Sequence, residues 1–280
     1  MSFLMTVNQL ENSMQNNERD VAIVDVRYQL NNPAAGRVAY QKGHIPGAVY
    51  LDLKEDLSSE AKQHGGSHPL PDKDVLASKL GELGINHDTL VVIYGEKNDM
   101  FSARCLWLFH YLGHENAYIL DGGLAKWLQE GNEITTDTPQ RKAKTFKPSS
   151  FENEIVNMQD VKQKMDDKSA VLIDSRSKDR YLGKTEPLYG RAGHIPGAKN
   201  YFWKDVLDAE GNWKDNEELE RHFSDLSKSD EIIVSCGSGV SACPNILALK
   251  RAGFTNVKLY PGSFSDWISY DENPLETKEE

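Results

Sequence analysis

The chemistry of this 280-residue chain concentrates in one short stretch, Ser235-Cys236-Gly237-Ser238-Gly239-Val240-Ser241-Ala242-Cys243. It follows an apolar run, Glu231-Ile232-Ile233-Val234, and precedes a helix-like segment, Pro244 to Arg251. Cys236 thus stands just beyond a strand, in a loop of glycines and serines. Gly237 and Gly239 let the backbone take φ > 0 and turn N–H groups inward. Ser241 is placed to cap the following helix, and Pro244 suits its first turn, where a missing N–H is harmless. The helix N-terminus adds partial positive charge at the same point. Together these features favour an anion on or beside Cys236, the state in which a cysteine is nucleophilic. A purely structural role explains neither the glycines nor the caps.

Two anions compete for such a loop. Phosphate chemistry on a cysteine uses Cys-x5-Arg, but the sixth position after Cys236 is Ala242 and the loop holds no arginine. The remaining candidate is sulfur itself, as a persulfide on Cys236 held by inward N–H groups. Cys243, near the helix start, could resolve such a species by forming a disulfide; we read it as a small packed residue instead. Cys105 shares an apolar helical stripe with Leu106, Leu108 and Phe109 and reads as core.

The elements that must position this loop occur twice. Gly43-His44-Ile45-Pro46-Gly47-Ala48 recurs as Gly193-His194-Ile195-Pro196-Gly197-Ala198. Ala22-Ile23-Val24-Asp25-Val26-Arg27 is echoed by Val171-Leu172-Ile173-Asp174-Ser175-Arg176, and Asp121-Gly122-Gly123 with Trp127 by Pro261-Gly262-Ser263 with Trp267. Three matched blocks in one order make the chain two copies of a module of about 130 residues. We place the first copy at 1–137, a polar linker at 138–150 and the second copy at 151–280. Strands are expected at Ala22–Val26, Val49–Leu51, Leu90–Tyr94 and Ala117–Leu120, then at Val171–Asp174, Lys199–Tyr201, Ile232–Ser235 and Val257–Tyr260. Helices are expected at Val75–Leu83, Ser102–Tyr111, Asn216–Phe223 and Ala242–Arg251. Short apolar strands alternating with helices predict an α/β fold, each copy a mainly parallel sheet flanked by helices.

Bulk properties narrow the function further. A net charge of −11 argues against nucleic acid, which requires a basic stripe. An anionic substrate therefore needs a local cluster of arginine and backbone N–H groups. No run of eighteen apolar residues and no basic, apolar leader is present, so neither a membrane span nor a secretory signal is expected. Three cysteines do not form a disulfide framework, and a reducing cytoplasm is the expected compartment. No Cys-x2-Cys or histidine cluster suggests a metal.

The paired GHIPGA blocks, the paired endings with tryptophan and Cys236-Gly237-Ser238-Gly239-Val240-Ser241-Ala242 resemble the tandem rhodanese-domain sulfurtransferases, over essentially the whole chain. The resemblance implies two rhodanese-like domains, a silent first copy and a second whose cysteine accepts sulfane sulfur. The matching loop of the first copy, Gly95-Glu96-Lys97-Asn98-Asp99-Met100, has no cysteine. Within the family, Cys-Gly-Ser-Gly accompanies 3-mercaptopyruvate as donor, and Cys-Arg-Lys-Gly accompanies thiosulfate. No cofactor is implied. Implied partners are a small anionic donor and an acceptor such as cyanide, a small thiol or thioredoxin. A thiosulfate:cyanide enzyme and a persulfide-carrying regulatory module of little turnover are the alternatives.

The same resemblance suggests further site residues. Arg180 matches one of two arginines that hold the donor. Some relatives carry the second where this chain has Tyr189, so Arg191 is taken as its substitute. Ser238 would relay a proton to the departing enolate, with a histidine and an acid from the first copy completing the relay. His68 matches the histidine, and Asp52 is chosen for the acid, with Glu55 and Asp56 as rivals, because Lys54 stands where the family carries a carboxylate. His44 and His194 occur in both copies, so they read as turn residues bonded to backbone. Asp25 and Asp174 receive the same reading, although Asp174 could help hold the active loop.

Overall fold

The computed structural model describes residues 2–16, 19–149 and 152–278. They form two compact units. Most of the first unit precedes residue 150 and most of the second follows it, but Glu60–Pro69 belong to the second and Ala209–Trp213 to the first.

The first unit runs β1 (Leu4–Met5), α1 (Val7–Gln15), β2 (Val21–Asp25), α2 (Ala34–Lys42), β3 (Ala48–Tyr50), α3 (Lys73–Glu82), β4 (Leu90–Tyr94), α4 (Met100–Tyr111), β5 (Ala117–Leu120) and α5 (Gly123–Gln129). All its strands are parallel, in the order β1-β5-β4-β2-β3. Val91, Val92, Ile93 and Tyr94 are wholly buried, as expected for a central parallel strand covered by helices on both faces. The core beneath one face joins Leu10, Ile23, Ile45, Val92, Leu120 and Trp127.

The second unit contains α6 (Met158–Asp166), β6 (Val171–Asp174), α7 (Lys178–Tyr181), β7 (Lys199–Asn200), α8 (Asn216–His222), β8 (Ile232–Ser235), α9 (Ala242–Arg251), β9 (Val257–Leu259) and α10 (Ser263–Trp267). Its sheet is parallel in the order β7-β6-β8-β9. The chain leaves β6 in one direction for β7 and reaches β8 on the other side. The carboxyl end of β8 therefore lies at a topological switch point, where α/β sheets bind ligands.

The repeated blocks turn out to be one structural device used twice. Asp25 at the end of β2 grips Arg27, whose Nη2 donates to Gly43 O at 2.7 Å; Asp174 grips Arg176, whose Nη2 donates to Gly193 O at 2.7 Å. Each pair fastens a strand end to the turn before the next strand. Nδ1 of His44 meets Tyr40 O at 2.8 Å and that of His194 meets Tyr181 O at 2.7 Å, each ring stacked on the same tyrosine. The histidines of the repeat are turn residues, as their presence in both copies implies.

Predicted strands and helices fall on observed ones, with ends that coincide or shift by at most two residues. Helices α1, α2, α5, α6, α7 and α10 were not predicted. Helices α5, α7 and α10 are seven residues or fewer, too short for a clear apolar periodicity. Residues 138–149 of the predicted linker carry no helix or strand, but they are fastened to the first unit. Arg141 Nε donates to Leu83 O at 3.1 Å, Lys144 N to Gly81 O at 2.8 Å, and Phe146 is buried. Cys105 is fully buried in α4, and burial pushes its thiol well above the ordinary range. Among the described residues, no helix is long and apolar enough to cross a membrane.

Candidate active site

Cys236 follows the last residue of β8 and is 1% exposed. Its N–H donates to Ser263 Oγ at 3.0 Å, and its carbonyl accepts from Phe264 N at 3.0 Å. The next carbonyl, of Gly237, accepts from Ser265 N at 2.9 Å. The first N–H groups of α10 thereby fix the loop's outer edge. Ser263 has φ 52°, a conformation that costs a non-glycine residue free energy. Its hydroxyl bridges Tyr260 O at 2.8 Å and Cys236 N, two bonds that favour that conformation.

The loop then curls over the sulfur. Gly239 N–H points at Cys236 Sγ, 3.1 Å away. Gly239 has φ 77°, and a Cβ there would stand 2.4 Å from Pro261 O. Both facts restrict the position to glycine, as the sequence suggested. Gly237 has a different constraint: a Cβ on it would meet Tyr189 Oη at 3.1 Å and Arg180 Nη2 at 3.5 Å. Val240 is buried, and its carbonyl accepts from Cys243 N at 3.1 Å. The Cys243 thiol donates to Gly239 O at 3.4 Å, so this cysteine helps hold the loop.

One local expectation is corrected. Ser241 makes no side-chain cap on α9; its φ −75° and ψ 1° are near-helical. A capping side chain reaches forward to the N–H of N2 or N3 from an extended residue, and Ser241 itself is already near-helical. The start of α9 is thus left without a capping oxygen from its own side chains.

Ser238 Oγ lies 2.8 Å from His68 Nδ1. His68 arrives on Glu60–Pro69, the segment that folds with the second unit. Neighbouring bonds hold that segment along residues 262–270: Gly65 N to Asp266 Oδ1 at 2.7 Å, Ser67 N to Ser265 Oγ at 3.0 Å and His64 Nδ1 to Ser269 Oγ at 2.8 Å. Gly66 permits the approach, since a Cβ there would be 2.5 Å from Gly262 O.

Arg180 sits at the end of α7, and its guanidinium is gripped by Glu186 through Nε at 3.2 Å and Nη2 at 2.8 Å. Glu186 also receives Arg176 Nη1 at 3.1 Å. Asp174, Arg176, Glu186 and Arg180 form one chain of alternating charge. Arg176 is wholly buried, its guanidinium 3.8 Å above the Phe264 ring. Burial pulls its charge down, but Asp174, Glu186 and the nearby Cys236 outweigh that and hold it above the ordinary arginine value. Sequence reasoning assigned no role to Arg176, Glu186 or Tyr189; the repeated Asp-x-Arg was the available signal for the first.

Arg191 and Asp52 each have partners of their own. Arg191 donates from Nη1 to Tyr270 O at 3.2 Å and from Nη2 to Asn273 O at 2.8 Å, which ties down the C-terminal segment. Asp52 lies in the first unit, where Oδ1 accepts from Lys54 N at 2.8 Å and Glu55 N at 3.1 Å, and Oδ2 from Tyr50 Oη at 3.2 Å. Its contacts are those of a turn cap. Among the described residues, no group of three or more His, Cys, Asp or Glu is gathered as a metal would require.

A family model, the rhodanese-like domain, matches residues 6–130 and again 157–270. The chain belongs to the rhodanese family. It consists of two tandem rhodanese-like domains and is a sulfurtransferase. It is 37% identical over 279 residues, 98% of each chain, to a Pseudomonas aeruginosa protein named "Probable 3-mercaptopyruvate sulfurtransferase". It is 32% identical to the thiosulfate sulfurtransferase of Cricetulus griseus, covering 91% of this chain and 87% of the relative. The crystal structure of SseA from Escherichia coli, titled for the rhodanese fold and catalytic mechanism of 3-mercaptopyruvate sulfotransferases, superposes with a TM-score of 0.82 at 32% identity. That match covers 95% of this chain and all of the other.

Proposed function

We propose that this sulfurtransferase takes sulfur from 3-mercaptopyruvate onto Cys236 and passes it to a thiol or cyanide. The observation that carries the reading is the sulfur of Cys236 under the Gly239 N–H, with Ser238 of the same loop bonded to His68. The Cys236 thiolate attacks the donor's sulfur, forming the S–S bond and breaking C–S. The electron pair leaves on carbon as the pyruvate enolate, which takes a proton through Ser238 and His68. The proton on the donor's thiol stays with the outer sulfur of the persulfide. A thiolate or cyanide then attacks that outer sulfur and returns Cys236 as thiolate. The Gly239 N–H stabilises the negative sulfur throughout.

Arg180 is assigned to the donor's carboxylate, since its guanidinium lies over Gly237. Arg191 and Asp52 are left out of the machinery, because carbonyls of the C-terminal segment and a turn in the first unit already occupy them. In this reading the first copy, 1–137, is silent in that it holds no sulfur-accepting cysteine, and the second, 151–280, is catalytic. Three free thiols suit a reducing cytoplasm, with small thiols or thioredoxin as acceptors there. Incubation with 3-mercaptopyruvate should add the mass of one sulfur to the Cys236 peptide and to no other. A kcat/KM higher for thiosulfate than for 3-mercaptopyruvate would overturn the donor assignment, and an active Cys236→Ser protein the mechanism.

A further inference from the structure

Ser263 is held in a conformation that residues other than glycine seldom take. Among the described residues only two non-glycine residues have positive φ, Lys168 at 55° and Ser263 at 52°. Lys168 is exposed in the turn between α6 and β6, whereas Ser263 is wholly buried. A buried residue stays in that region only where its surroundings over-determine it, and such outliers gather at functional sites.

What surrounds Ser263 is the backbone of the reactive loop. Its hydroxyl donates to Tyr260 O at 2.8 Å, which leaves a lone pair to accept from Cys236 N at 3.0 Å. Tyr260 N in turn donates to Val234 O at 3.0 Å. One line of bonds thus ties the end of β8 to the end of β9 at the cysteine. With Phe264 N on its carbonyl, both backbone polar groups of Cys236 are held by two successive residues. The sulfur is left under Gly239 N–H, 3.1 Å away. The first unit builds the same turn without this anchor. Gly123 takes φ 60° at no steric cost and has no hydroxyl to offer Gly95. The costly residue therefore occurs only in the copy that carries the cysteine.

We propose that Ser263 is a positioning residue for Cys236, its hydroxyl fixing the cysteine backbone so that Sγ stays aimed at the donor sulfur. The left-handed turn is what brings the hydroxyl to Cys236 N. This rests on the reading that Cys236 takes sulfur from 3-mercaptopyruvate.

Two variants test it by separating rate from stability. Ser263→Gly removes the hydroxyl and the strain together; Ser263→Ala removes the hydroxyl and keeps the strain. The thermal midpoint of Ser263→Ala should therefore fall a few degrees below that of Ser263→Gly. Rapid-quench mass spectrometry of the Cys236 peptide at saturating 3-mercaptopyruvate reads the rate of sulfur uptake. Both variants should be slower than wild type by roughly tenfold, the effect of a slackened nucleophile, with KM within about twofold. Sulfur uptake by Ser263→Gly at the wild-type rate, a loss that follows the midpoint from one variant to the other, or a change confined to KM overturns the assignment. The wild-type protein separates the two levels. If its Cys236 peptide gains no sulfur, the proposed function falls and the role of Ser263 with it; if it gains sulfur and Ser263→Gly does so equally fast, only the role of Ser263 falls.

Discussion

The loops after β4 and β8 share a frame and differ in what fills it. In the first unit Leu124 N donates to Gly95 O and Ala125 N to Glu96 O, at 3.0 and 2.9 Å. In the second, Phe264 N and Ser265 N make the same bonds to Cys236 and Gly237. Gly95 therefore occupies the place of Cys236. Gly123 and Ser263 also correspond, with φ 60° and 52°. The difference lies in the anion. Asp99 caps α4 with bonds from Phe101 N and Ser102 N at 3.0 and 2.8 Å, and a Cβ on Gly95 would stand 1.9 Å from Asp99 Oδ2. The first loop fills its helix N-terminus with its own carboxylate and leaves no room for a side chain where the cysteine would be. The second has no side-chain cap on α9 and places a sulfur there.

The comparison can be broken most severely at Gly239. Gly239→Ala should lower the rate of Cys236 persulfide formation at least about a hundredfold, because a Cβ cannot fit against Pro261 O and φ 77° becomes strained. Rapid-quench mass spectrometry against 3-mercaptopyruvate measures this.

A smaller loss is expected at Ser238. Ser238→Ala should reduce kcat by roughly a hundredfold, within the range for removing a positioned proton donor. Thermal stability should stay near wild type. A variant with full kcat would remove the Ser238–His68 pair from the chemistry.

The first loop yields the opposite pattern, an effect on stability and none on activity. Burial lifts the Asp99 carboxyl to about 6, although the N–H groups of Ser102 and Phe101 pull it back. Because the folded carboxyl titrates above its unfolded value, the folded chain binds more protons between about 4 and 6, and stability falls as pH rises through that window. Asp99→Asn retains a good cap and should remove a pH-dependent loss on the order of 2 kcal/mol. Urea unfolding at pH 4.5 and 7.5 checks this, with turnover unchanged.

Least of all should be felt at Arg191. Arg191→Ala should leave KM for 3-mercaptopyruvate within about twofold of wild type and lower the thermal midpoint by a few degrees, since it loses two bonds to backbone carbonyls. A large rise in KM would return Arg191 to the donor site.

The active loop itself was legible in the sequence, because the requirements of a tight turn are local. Glycine at 239, a cysteine at a strand end and a helix just beyond are all short-range facts. The duplication was legible too, since GHIPGA and Asp-x-Arg recur wherever the same strand-end clamp is built. The partners of Arg180, Arg191 and Asp52 were not. An arginine's spacing in the chain does not reveal whether a carboxylate, two carbonyls or a ligand will meet its guanidinium.

By itself, then, the sequence determined two α/β modules and, in one of them, a cysteine at a strand end in a glycine loop that lacks arginine. These follow from backbone sterics and from strand and helix periodicity, which act over a few residues. The tertiary structure alone decided that residues 60–69 carry His68 to Ser238, that Glu186 balances Arg180 and that Tyr189 covers Gly237. Those outcomes depend on which distant surfaces pack, and so on burial and charge pairing across the fold.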